Sequence, residues 1–271
     1  MVKKLYHFII SFFVLITLFT VLVAIFMLFS FLPNNIKKRQ HSSIEDMPAA
    51  AEEVILSETP DLGMEYIDKI IFLGESTTYG LQRYGVLSKG VDTLQVWTGA
   101  KTVGGKTVSA GTLSLSPSIA QTKIFFPDTQ SALTISEAID TKKPEFLIIT
   151  LGLNNGASYY SEQEFKECYR VLLNSIRSYF DSTKVILQSI FPVAGSCSIK
   201  AYTPKRIEMC NNWIYDIAKE YGIKYLNTAE VLADDNGYLL DRYENGGDGI
   251  HLNRDGLCVV LDYIKKHGYM R

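Results

Sequence analysis

The sequence predicts an α/β fold: a parallel sheet of about five strands with helices on both faces, preceded by one N-terminal transmembrane helix. Three observations point there. Short apolar runs alternate with stretches of helical periodicity; the runs are apolar at nearly every position, as strands covered on both faces must be; and no formally charged side chain occurs from Leu5 to Leu32.

That uncharged stretch exceeds the ~20 residues needed to cross a bilayer and the ~7 to 15 of a signal-peptide core. It is apolar on all sides and lacks the stripe of a surface helix. The expected organisation is therefore a short tail over 1–4, a membrane anchor over 5–32, a spacer over 33–66 and a folded domain over 67–271. The spacer combines charge, Ser, Pro and an Ala-Ala-Ala-Glu-Glu stretch without sustained periodicity. Lys3 and Lys4 before the span nearly cancel Lys37, Lys38 and Arg39 after it, so flanking charge does not set the orientation.

Lys69 to Leu73 reads as the first strand, running into Gly74-Glu75-Ser76 and a short helix. Further strands are expected at Leu94 to Trp97, Phe146 to Leu151, Lys184 to Ile190 and Ile223 to Leu226. Between the third and fourth, Phe165, Cys168, Tyr169, Leu172, Leu173, Ile176 and Phe180 recur at helical spacing. Ser161 and Glu164 form a capping-box pattern ahead of them. A second long helix should start with Thr203 as N-cap and Pro204 in its first turn, and stop at Gly222. A last helix should follow Asn253.

Composition excludes several classes. A formal net charge of -2 with scattered Lys and Arg gives no field for nucleic acid. The four cysteines, Cys168, Cys197, Cys210 and Cys258, have neither zinc-site spacing nor the density of a disulfide scaffold. They read as small core residues, with a Cys197–Cys210 bridge left open. Ala100-Lys101-Thr102-Val103-Gly104-Gly105-Lys106-Thr107 misses a phosphate-binding loop by its first glycine. Such a loop must open a helix, whereas Val108 to Pro117 reads as a hairpin or extended loop. Asp234-Asp235-Asn236-Gly237 lacks the alternating carboxylates of a calcium loop and reads as a turn.

Ligands of open α/β sheets bind beyond the carboxyl ends of the strands. Three groups of reactive side chains fall there: Ser76 after the first strand, Asn154 after the third, and Asp248 with His251 after the fifth. A serine hydroxyl needs an adjacent base, and a histidine suits that role near neutral pH. Of the four histidines, His7 lies in the anchor, His41 in the spacer and His267 near the C-terminus, which leaves His251. Asp248, three residues earlier, is placed to orient it by accepting from the imidazole; a turn carboxylate capping backbone N–H groups is the alternative reading. Asn154, in Leu151-Gly152-Leu153-Asn154-Asn155, is a side-chain donor for an oxyanion, or else an Asx-turn residue.

In this order Ile71-Phe72-Leu73-Gly74-Glu75-Ser76, Gly152-Leu153-Asn154-Asn155 and Asp248-Gly249-Ile250-His251 resemble the nucleophile, Gly-x-Asn-Asp and Asp-x-x-His blocks of the SGNH or GDSL serine esterases and lipases. The resemblance covers the chain from Ile67 onward. It implies a flavodoxin-like three-layer α/β/α fold, no metal or cofactor, and catalytic Ser76, Asp248 and His251. It also implies an oxyanion hole made by the Ser76 N–H, the Asn154 side chain and a glycine N–H. Gly99, directly after a strand, is the candidate glycine, with a turn role as its alternative. Glu75 and Asn155 stand where the family usually has aspartates. Neither is a catalytic group, so loop geometry rather than chemistry is put in question.

The expected activity is hydrolysis of an ester, with the domain held on the outer side of the membrane. Two alternatives stay open: transfer or removal of O-acyl groups on a cell-surface glycan, and a catalytically silent binding module of the same fold. Trp97, Tyr159 and Tyr160 are read either as rim residues that stack on a sugar or line an acyl pocket, or as packing.

Overall fold

The computed structural model describes residues 54–270. The expected tail, the anchor over 5–32 and most of the spacer lie outside the described residues. Among those described, no helix is long and apolar enough to cross a membrane.

In chain order the elements are α1 (Gly63–Ile67), β1 (Ile70–Gly74), α2 (Ser76–Arg83), β2 (Val96–Trp97), β3 (Ala100–Val103), β4 (Lys106–Ser109), β5 (Lys123–Phe126) and β6 (Ser131–Thr134). They continue as α3 (Ile135–Lys142), β7 (Phe146–Thr150), α4 (Glu162–Ile176), β8 (Lys184–Gln188), α5 (Pro204–Tyr221), β9 (Lys224–Leu226) and α6 (Arg254–Lys266). Five strands form one sheet in the order β2-β1-β7-β8-β9. Every pairing in it is parallel, with Phe72 opposite both Val96 and Ile148, and Ile148 opposite Ile186. All five expected strands are present, each within two residues of its expected ends.

Side chains alternate between the sheet's two faces. Ile70, Phe72, Ile148, Ile186 and Leu226 join Leu81 of α2 and Leu257, Val260, Leu261 and Ile264 of α6 in one core. On the other face Tyr225 packs edge-on against Tyr215 of α5, and Phe165 of α4 lies 5.3 Å from Trp213 of α5. In α4, Leu172, Leu173 and Ile176 are fully buried, each contributing about 1.5–3 kcal/mol by leaving water. Both halves of the Ser161/Glu164 capping box form. α5 starts at Pro204 behind the Thr203 cap and ends at Gly222, whose φ of 63° is the left-handed conformation that glycine adopts without strain.

Two differences from the expectation stand out. The described part of the spacer belongs to the fold: the Tyr225 N–H donates to the Val54 carbonyl, the Leu56 N–H donates to Tyr225, and Leu56 and Tyr66 are buried. An extended segment that adds to a sheet edge through backbone bonds leaves little trace in composition. Between β2 and β7 the chain forms two antiparallel hairpins, β3–β4 and β5–β6, and then α3. The first turns at Gly104 and Gly105, both at positive φ, as a tight two-residue hairpin requires. Lys106 and Thr107 therefore lie on a strand, which removes the phosphate-loop geometry.

Candidate active site

β1 ends at Gly74, where only a hydrogen fits: a Cβ would lie 2.1 Å from Thr78 Oγ1 and 2.6 Å from the Thr150 carbonyl. The close approach lets the chain leave the sheet through Glu75, in extended conformation, and begin α2 at Ser76. Ser76 thus opens the helix, and its own N–H is one of the first-turn donors that no helical carbonyl takes up.

The last loop reaches this point from the far end of the sequence. His251 Nε2 lies 2.8 Å from Ser76 Oγ, and His251 Nδ1 lies 2.6 Å from Asp248 Oδ2. The other oxygen, Asp248 Oδ1, accepts the N–H groups of Ile250 at 2.8 Å and His251 at 2.9 Å. Burial pushes the Asp248 carboxyl up, but the His251 N–H, the imidazole and the Ile250 N–H together hold it below its ordinary value. An ionised carboxylate has no proton to give, so Nδ1 is the donor and Nε2 is left to accept from the serine hydroxyl. The two readings of Asp248, imidazole partner and turn cap, describe its two oxygens.

That loop is organised by Glu244, which sequence reasoning missed. Its carboxylate accepts the N–H groups of Gly246 at 2.6 Å, Gly247 at 3.1 Å, Asp248 at 3.3 Å and Gly249 at 2.9 Å. Burial opposes its ionisation, yet these donors hold it below the usual carboxylate range. Its one signal was an acid two residues before consecutive glycines, whose open backbone leaves N–H groups accessible. Gly249 has φ of 71°, and a Cβ there would lie 2.6 Å from the Cys197 nitrogen. Its carbonyl accepts the Ala194 N–H, which ties the loop to the segment after β8.

Glu75, 2% exposed, accepts backbone N–H groups from the loop after β7. Oε1 takes Gly152 and, at 2.8 Å, Leu153; Oε2 takes Asn154 at 2.6 Å. Burial raises this carboxyl to about 8, more than the three N–H donors lower it. The longer acid before the serine is thus compatible with an ordered loop. Gly152 has φ of 118°, and a Cβ would lie 2.6 Å from Phe165, so this turn too requires glycine.

The Asn154 amide lies beside the segment that follows the first hairpin: Nδ2 donates to Thr112 Oγ1 at 3.1 Å and to the Leu113 carbonyl at 3.2 Å. Asn155, at φ of 65°, donates Nδ2 to the Leu115 carbonyl and accepts the Tyr159 hydroxyl at 2.7 Å. Gly99 does not serve as expected. Its N–H donates to the Thr112 carbonyl at 2.6 Å, and a Cβ would lie 2.3 Å from that oxygen. The segment that leaves the β3–β4 hairpin runs back past Gly99 and takes up its donor.

Trp97 is buried edge-on against Phe126, a packing role, whereas Tyr159 is 66% exposed. Cys197 and Cys210 are free thiols. Among the described residues no group of three or more His, Cys, Asp or Glu side chains is arranged to hold a metal ion.

The family described as GDSL-like lipase/acylhydrolase matches residues 72–257, a span that runs from β1 into α6. Among solved structures, a protein from Streptococcus pneumonia provisionally titled a platelet activating factor is 19% identical. The match covers 73% of this chain and 82% of that one, with a TM-score of 0.51. A GDSL-like lipase from Bacteroides thetaiotaomicron is 17% identical over 79% of this chain and 91% of that one, with a TM-score of 0.45. A carbohydrate esterase family 3 protein from Talaromyces cellulolyticus is 17% identical over 72% and 93%, with a TM-score of 0.43. At such identities the first likeness speaks to fold alone. No curated protein matches the chain.

Proposed function

From the premise that this chain belongs to the GDSL-like lipase/acylhydrolase family, and is thus by class a carboxylic-ester hydrolase, we propose that Ser76, His251 and Asp248 act as nucleophile, base and orienting carboxylate. The observation that carries the reading is the unbroken contact line from Asp248 Oδ2 through His251 to Ser76 Oγ, at 2.6 Å and 2.8 Å.

In this mechanism Ser76 Oγ attacks the acyl carbonyl while His251 Nε2 takes the hydroxyl proton. The carbonyl oxygen becomes an oxyanion, which the Ser76 N–H at the start of α2 and the Asn154 amide stabilise. One Asn154 hydrogen stays on the Leu113 carbonyl and fixes the amide plane; the other leaves Thr112 Oγ1 for the substrate. Collapse breaks the C–O bond, and the alkoxide leaves with the proton from Nε2. Water then gives its proton to Nε2 and attacks the Ser76 ester; the acid departs and Ser76 recovers its proton. Asp248 stays ionised throughout and holds the imidazole in the required tautomer.

The test is release of p-nitrophenol from acetyl and longer acyl esters by the full chain in detergent, beside Ser76→Ala and His251→Ala. Each substitution should lower kcat by about 10³-fold or more. Unchanged turnover in Ser76→Ala would overturn the mechanism.

A second reading is favoured by the uncharged stretch from Leu5 to Leu32. It anchors the protein with its catalytic domain on the outer side of the membrane, where a glycan hydroxyl replaces water as acyl acceptor or an acylated glycan is the ester. Mass spectrometry of surface polymer from cells lacking the protein should then show altered O-acylation; unaltered acyl content counts against it.

A further inference from the structure

We propose that Tyr159 determines specificity by offering a fixed aromatic platform on which a pyranose ring of an O-acylated carbohydrate stacks beside the oxyanion loop. The inference rests on the ester-hydrolase reading above and names its substrate class.

Tyr159 is 66% exposed, yet its ring is held. Its hydroxyl donates to Asn155 Oδ1 at 2.7 Å, and its ring meets Tyr160 edge-to-face with centroids 5.2 Å apart and planes at 88°. The segment beneath is held as firmly. Arg206 donates Nε to the Ala157 carbonyl at 3.0 Å, and Nη2 to the carbonyls of Gly156, at 2.9 Å, and Tyr160. Its guanidinium stacks over Trp213 at 5.1 Å. The Tyr202 hydroxyl donates to the Leu153 carbonyl and accepts from Ser158 Oγ, each at 3.2 Å. Arg206 of α5 and Tyr202 just ahead of that helix therefore fix the base of an exposed ring.

A lone exposed aromatic usually needs no explanation. This one differs in its rigidity and its place. A pre-ordered ring binds a ligand without first losing its own rotamer freedom. Asn155, its tether, directly follows Asn154, whose backbone is bonded to Glu75 beside Ser76, so the platform is tied to the loop proposed to hold the oxyanion. An acyl chain requires an enclosing apolar wall. A single exposed flat ring, fixed by its hydroxyl on Asn155 and by its contact with Tyr160, instead matches a ligand with C–H bonds on its face. The electron-rich face of an aromatic attracts such C–H bonds, which line the faces of a pyranose ring.

The experiment compares the full chain, Tyr159→Ala and Tyr159→Phe on partially O-acetylated xylotriose, cellotriose and chitotriose, with vinyl acetate as an ester that has no ring to stack. Tyr159→Ala should raise KM for at least one sugar ester so that kcat/KM falls about tenfold further than on vinyl acetate. Tyr159→Phe, which keeps the ring and its Tyr160 contact but loses the Asn155 tether, should fall between the wild type and Tyr159→Ala on the sugar esters. Equal losses on sugar and vinyl esters, or none on any sugar, overturn the proposal. Calorimetry of the same oligosaccharides with Ser76→Ala reads the platform without turnover: adding Tyr159→Ala should weaken Kd about tenfold, and equal affinity overturns it. Tyr159-dependent binding in a wild type that cleaves no ester would instead overturn the hydrolase reading and leave the platform standing.

Discussion

Glu75 Oε2 accepts the backbone N–H of Asn154 at 2.6 Å, so the acid that precedes Ser76 is bonded to the residue whose amide is proposed to hold the oxyanion. Nucleophile and donor follow different strands, β1 and β7, and one buried carboxyl links the two segments.

The burial of that carboxyl carries a prediction about pH. The folded carboxyl is raised from 4.5 to about 8, so its contribution to stability is fully present below pH 4.5 and is lost as pH rises through about 8. The unfolding free energy should fall across that interval with a contribution of up to about 1.4 kcal/mol per pH unit. In Glu75→Gln this part of the slope should vanish. Urea denaturation at several pH values checks it; parallel slopes in both proteins would refute it.

Asp248 is held below its ordinary carboxyl value and remains ionised at neutral pH. In Asp248→Asn an amide N–H can face Nδ1, which favours the tautomer that cannot accept from Ser76. We expect kcat to fall by about 10²- to 10⁴-fold with little change in KM. Steady-state kinetics on a p-nitrophenyl ester decide it, and a loss confined to KM would contradict the assigned role.

Gly249 and Gly246 both have positive φ, at 71° and 83°, but a Cβ at Gly249 would meet the Cys197 backbone at 2.6 Å whereas at Gly246 it would meet nothing within 4 Å. Gly249→Ala should therefore cost about 1–3 kcal/mol more than Gly246→Ala and disturb the Asp248–His251 turn. Thermal melts with activity assays on both variants test this; equal stability losses would show that crowding is not the cause.

Arg206 donates to three carbonyls of the 156–160 segment, a planar set of contacts that an ammonium cannot reproduce. Arg206→Lys should lose about 2 kcal/mol and lower Tm by roughly 4–8 °C. Calorimetry reads the shift, and an unchanged Tm would mean that the Arg206 contacts do not stabilise the segment.

Much of the frame was legible because its signals are local. Phe146–Thr150 and Lys184–Gln188 read as strands since burial on both faces leaves almost no polar position. α4 and α5 announced their starts through Ser161, Glu164 and Thr203, and Gly222 marked the end of α5, because caps are satisfied within a few residues. Other features were hidden. Glu75 reads as a departure from a family pattern; its bonds reach residues 77 to 79 positions away. Gly99 directly follows a strand, but Thr112, brought back by the intervening hairpin, takes up its N–H. Leu56 closes a run of only three apolar residues, Val54-Ile55-Leu56, between polar flanks, and is drawn into the core by an edge pairing with Tyr225.

The sequence by itself determined the α/β class, the five strands, the capped helices and the reactive residue types, since periodicity, capping and the order of Ser76, Asn154, Asp248 and His251 are written in short windows. Only the tertiary structure decided which N–H groups are free and which are taken, that Glu244 and Glu75 organise the two loops, and that Tyr159 is exposed on a rigid base. The reason is physical: a hydrogen bond between distant residues forms or not according to packing geometry, and no local pattern encodes that geometry.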